Sequence, residues 1–187
     1  MIAGLITVGL ASHSLGVLAA GGDYVADSIA IVLGLLAIRI SKHPRGHPKA
    51  TSFVALINST LLLGASVIVI LEAVRRLIRH TPDIKGFSAM IVSIVATLAM
   101  IVGALILKGD DDDDDLHMRS VMLDTLADAV SSAAVAVTGA IIFATGRLFW
   151  LDSAIAAVIG MVISYHAIKL MRTVIADLRR PTGARAK

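Results

Sequence analysis

The 187-residue chain contains no cysteine. That absence excludes disulfides, thiolate metal sites and iron–sulfur chemistry, so any metal must be held by Asp, Glu, His or backbone oxygen. Charge is scarce as well: 17% of residues are charged against 57% hydrophobic, and the mean hydropathy is +0.86. An ordinary soluble domain is excluded by that balance, and the chain reads as an integral membrane protein embedded in a lipid bilayer. Prolines number only 4, so little interrupts the long apolar runs, which read as helices. The net charge of +3 does not point to nucleic acid, because most basic residues flank apolar runs, where they act as topology signals. The N-terminal apolar run has no basic region before it, which argues against a cleaved signal peptide.

Six apolar runs predict six spans. Met1 to Ala37 is nearly continuous apolar sequence, broken at Ser12-His13-Ser14 and at Gly21-Gly22. A turn at Gly21-Gly22 gives a first span of about twenty residues and puts Asp23 at the membrane mouth. A turn at Ser12–Ser14 puts Asp23 about 14 Å into the next helix, near the midplane, and leaves the first span at half length. The second reading is preferred, and it carries the expectation that the chain lacks some N-terminal residues. The second span then runs to about Ile40, the third from Ala50 to Leu77, the fourth from Phe87 to Leu107, the fifth from Leu116 to Ala144 and the sixth from Ser153 to Met171. Residues 1–178 are expected to form the transmembrane domain and 179–187 a short basic tail.

Both termini fall on one side. Arg39, Lys42, Arg45, Lys49, Lys108, Arg119 and the basic residues from Lys169 onward lie on that side, against Arg75, Arg76, Arg79, Lys85 and Arg147 on the other. The bias predicts cytoplasmic termini, with the arginines closing the third span as the exception.

Inside this apolar background, Asp124 and Asp128 are spaced four residues apart, and so are Asp23 and Asp27. Each pair shares one helix face. An aspartate at the centre of a membrane helix costs about 2.5–3.5 kcal/mol on insertion scales, so two on one face need a partner, and a cation is the simplest. Two helices could then supply four oxygen ligands. Four converging carboxylates cannot all ionise without a cation, so the set would hold protons that a divalent ion displaces. No ATP motif is required for such an exchange, nor any cofactor.

The run Ser14 to Ser28, with Asp23 and Asp27, resembles the second span of the cation diffusion facilitators, a family of divalent metal/proton antiporters. His43-Pro-Arg-Gly-His47 resembles that family's cytoplasmic loop, Leu71 to Leu77 the end of its third span, and Arg119 to Asp128 its fifth. The resemblance covers nearly the whole chain. It implies an all-α fold of six transmembrane helices, an intramembrane metal site of Asp23, Asp27, Asp124 and Asp128, export of Zn²⁺, Mn²⁺ or Fe²⁺ from the cytoplasm against protons, and a homodimer, here in a bacterial inner membrane. Three departures stand out. Zinc-selective members usually carry a His among the four ligands, most often at the position of Asp124, and here all four are Asp. The loop after Arg39 looks short, and the acidic ligand expected before His43 is missing. No equivalent of the family's C-terminal cytoplasmic domain is apparent.

An all-oxygen set shifts preference toward harder ions such as Mn²⁺ or Fe²⁺, although zinc outranks manganese in a generic site. His43 and His47 are candidates for a secondary metal site or for a role in loop structure. Asp110 to Asp115 read either as a solvated spacer or as a cation-concentrating field at the entrance. His13 and His166 lie in apolar sequence and read as bonded structural histidines, His117 as interfacial, and Ser131 and Ser132 as packing residues. Two rival readings compete with this one. An intramembrane aspartyl protease would place Tyr before one Asp and Gly-x-Gly before the other, whereas Tyr24 follows Asp23 and Leu123 precedes Asp124; the chain does not read as an enzyme. A non-transporting membrane subunit that binds metal and stabilises a partner complex is the alternative.

Overall fold

The computed structural model of the protein describes residues 1–41, 50–79, 81–108 and 116–179, and the side chains of these except 36–38, 40–41, 50–51, 107–108, 116–124 and 177. Among the described residues the fold is all-α: α1 (Ile2–Ser12), α2 (Leu15–Ser41), α3 (Ala50–Ile78), α4 (Gly86–Lys108), α5 (Leu116–Thr145) and α6 (Trp150–Arg179). Five of these are long and apolar enough to cross a membrane, and α1 is the short one.

The helices cross as an antiparallel bundle in which α4 packs most extensively on α5, and α3 on α6, with α2 touching both pairs. Small side chains make this possible. Ala73, Ala96, Ala156 and Ala167 are fully buried, while Ile68, Leu71 and Ile78 stand exposed at 69%, 64% and 77%, which is the distribution of a bundle whose outer surface meets lipid rather than water. The α4 and α5 backbones approach closely, for a Cβ on Gly139 would lie 2.7 Å from the Met90 nitrogen and one on Gly86 would lie 2.7 Å from the Phe143 nitrogen. Only glycine permits these two backbones to meet.

The break between α1 and α2 falls at His13-Ser14. His13 adopts φ 58°, its N–H donates to the Leu10 carbonyl at 3.3 Å, and the Ser14 N–H donates to the Gly9 carbonyl at 3.1 Å. This is a Schellman stop. Ser14 then caps α2, its Oγ accepting from the Val17 N–H at 3.2 Å. The remaining donors of α2 are met from α6: the Asp152 carboxylate accepts from Leu15 N–H at 2.6 Å, Gly16 N–H at 3.3 Å and Ser14 Oγ at 2.6 Å. Arg76 of α3 donates to the His13 carbonyl at 2.8 Å, and the Lys85 N–H donates to the Ser12 carbonyl at 3.2 Å. One end of the bundle is thereby tied into a single polar node.

Two sequence expectations are corrected here. The sixth span is expected from Ser153, which leaves Trp150 and Asp152 in the turn before it, but α6 begins at Trp150 and Asp152 is 2% exposed. The same span is expected to end at Met171, but α6 continues to Arg179.

Candidate metal site

α2 is continuous through Gly21 and Gly22, so Asp23 and Asp27 straddle the middle of its apolar segment Leu15–Leu35. They share a face one turn apart. Tyr24 of α2 and Ser132 of α5 set the register of the two helices: the Tyr24 hydroxyl and Ser132 Oγ are hydrogen-bonded, and both residues are buried. Ser132 lies four residues from Asp128, on the same stripe of α5. Joining Tyr24 to Ser132 therefore draws Asp128 toward the two α2 carboxylates. One carboxylate oxygen from each of Asp23, Asp27 and Asp128 lies within 4.8 Å of the others. Such spacing suits oxygens around a single cation, since ligands about 2.0–2.6 Å from an ion stand within about 5 Å of each other.

Asp27 is exposed and Asp23 and Asp128 are half-buried, because the three face an open cavity of about 560 Å³. Its polar lining also includes Asn58 of α3 and His166 and Lys169 of α6. Aliphatic side chains such as Leu62, Ile159 and Ile163 also line it, which lowers the local dielectric and strengthens any charge interaction inside.

The structure thus brings together three of the four aspartates singled out in the sequence. Asp124 is on α5, one turn before Asp128; its side chain lies outside the described residues. His43, His47 and Asp110 to Asp115 also lie outside them. His13 stands exposed at the end of α1, and His166, expected to be a bonded structural residue, instead lines the cavity. Ser132, assigned to packing, holds Tyr24. The spacing Asp124, Asp128, Ser132 on one helix stripe was a usable signal for that role; nothing local marked Tyr24 as its partner.

A family model for the cation efflux transmembrane domain matches residues 1–179. The chain belongs to the cation efflux family. Curated relatives include the cadmium, cobalt and zinc/H(+)-K(+) antiporter of Bacillus velezensis, 25% identical over 86% of this chain and 54% of its own length. Zinc transporter ZitB of Escherichia coli is 25% identical over 91% of this chain and 56% of its own length, and the metal cation efflux system protein CzcD of Cupriavidus metallidurans is 26% identical over 82% and 49%. The chain spans about half the length of these relatives. Membership of the cation efflux family agrees with the resemblance read from the aspartate spans, and the six-helix, membrane-embedded architecture fits it.

Proposed function

We propose that the protein exports divalent transition-metal ions from the cytoplasm in exchange for protons, with Asp23, Asp27, Asp124 and Asp128 as ligands of the transported ion. The observation that carries this reading is the convergence of three carboxylates from two helices within 4.8 Å, near mid-span, in an open cavity. Carboxylates so placed stay only if they bind protons or a cation, and exchanging one for the other couples metal movement to a proton gradient. The name of the Bacillus velezensis relative, an antiporter with H(+), supports the proton partner.

Zinc is the first candidate cargo, since cadmium, cobalt and zinc occur in the relatives' names; Mn²⁺ and Fe²⁺ follow from the oxygen-rich ligand set. The charge bias supports cytoplasmic termini, and the bacterial relatives support a bacterial inner membrane. The cavity is lined by the second half of α6 (His166, Lys169, Thr173) and by Asn58 early in α3, so in this orientation it opens to the cytoplasm. A homodimer is the assembly implied by the resemblance.

The test is uptake of Zn²⁺ and Mn²⁺ into vesicles holding the purified chain under an imposed proton gradient, with Asp128→Asn as the blank. Gradient-dependent uptake lost in the variant is the expected result. Absence of uptake of both ions by folded protein would favour a non-transporting, metal-binding subunit.

A further inference from the structure

The polar node at one end of the bundle fixes the relative height of residues on α2 and α6. Asp152, two residues into α6, accepts from the backbone N–H of Leu15, the first residue of α2, and the two helices run in the same direction from that common level. Asp27 lies twelve residues beyond Leu15, about 18 Å along α2, and His166 fourteen residues beyond Asp152, about 21 Å along α6. His166 therefore stands about 3 Å past Asp27, and Lys169 about one further turn past it.

His166 lines the cavity that holds the three carboxylates. Its ring lies against Tyr165, with centroids 5.7 Å apart, and among the described residues no hydrogen bond ties either ring nitrogen. An imidazole near mid-span in an apolar helix carries an insertion cost that a purely structural role leaves unexplained here. Its chemistry differs from that of its neighbours: a neutral imidazole nitrogen is a borderline-soft donor suited to zinc, cobalt and related ions, whereas carboxylate oxygen suits harder ones. An ion entering from the Lys169 end meets His166 at or before Asp27.

We propose that His166 is a ligand for the transported ion at the mouth of the carboxylate cavity, supplying the nitrogen donor that the aspartate set lacks and biasing the site toward Zn²⁺ and Co²⁺ over Mn²⁺. The proposal rests on the transport-site reading above and adds to it a residue, an entry position and a selectivity. His166 receives the ion from the cytoplasmic end, and Asp27, closest in height, shares it with the rest of the set.

The test is calorimetric binding of Zn²⁺, Co²⁺ and Mn²⁺ to the intact chain in lipid nanodiscs, for wild type, His166→Ala, His166→Gln and Asp128→Asn, with zinc-edge X-ray absorption on the first two. Both His166 variants are expected to bind Zn²⁺ and Co²⁺ at least about tenfold more weakly, the lower end of what a metal site loses with one supporting partner, while Mn²⁺ affinity stays within about threefold. Imidazole scattering around zinc should fall in His166→Ala. An unchanged Zn²⁺-to-Mn²⁺ ratio, whether both affinities hold or both fall together, overturns the proposal, as does undiminished imidazole scattering. Asp128→Asn separates the two levels: if it binds every ion as tightly as wild type, the transport-site reading fails and the His166 role falls with it. If Asp128→Asn weakens binding and the His166 variants do not, only the His166 proposal is lost.

Discussion

At Asp152 one carboxylate answers three donors from the start of α2, namely Leu15 N–H, Gly16 N–H and Ser14 Oγ, in a setting almost closed to solvent. An amide of the same shape offers one acceptor oxygen and turns an NH₂ toward a donor. Asp152→Asn should therefore lower unfolding stability by about 1–3 kcal/mol, the cost of leaving a buried donor unmet. A thermal or denaturant midpoint in detergent would check this, and an unchanged midpoint would show that water replaces the lost acceptor. The consequence reaches the metal site, because this node sets the height of Asp23 and Asp27 against α6. The sequence offered little to reveal it: Asp152 beside Trp150 reads as an interfacial turn, since the residues that answer its charge lie more than 130 positions away. By contrast, the aspartates of the site were legible, because a carboxylate within an apolar run has few reasons to be there.

Between elements, a tight backbone constraint is the α4–α5 contact at Gly86 and Gly139. Gly139→Ala would drive a methyl to 2.7 Å from the Met90 nitrogen, backbone that has no rotamer in which to yield. A loss of about 1–3 kcal/mol is expected, as for other overpacked contacts. Gly103 of α4 has nothing within 4 Å of its would-be Cβ, so Gly103→Ala should be neutral or gain up to about 1 kcal/mol from helix propensity. Parallel melting curves of the two variants check the contrast, and equal effects would contradict the packing described. Helix existence and the α1–α2 break were readable from apolar runs and from Ser12-His13-Ser14. The far end of α6 was not, because the basic residues from Arg172 onward break the apolar run when only hydropathy is counted. Nor was the role of His166: hydropathy gives the company a residue keeps along the chain, while its placement in the cavity depends on how α6 is rotated against α2.

For the whole molecule, the account predicts a polarity. With cytoplasmic termini, the α5–α6 turn at Arg147 faces outward and the end of α6 at Arg179 inward. Because the chain has no cysteine, single substitutions report this cleanly: in intact cells a membrane-impermeant maleimide should label Arg147→Cys, and should label Arg179→Cys only after permeabilisation. The reverse pattern would invert the orientation and turn export into import at the same site. Five membrane-length helices, membership of the cation efflux family and a mid-span carboxylate cluster together support the proposed exchange of protons for metal. Its most direct measurement is proton release when Zn²⁺ binds the purified chain in weakly buffered solution, followed with a pH dye, for wild type and Asp128→Asn. Release of at least about one proton per bound Zn²⁺ near neutral pH, lost together with tight binding in the variant, is the predicted result. Tight Zn²⁺ binding with no proton release, or release that Asp128→Asn leaves intact, would contradict it.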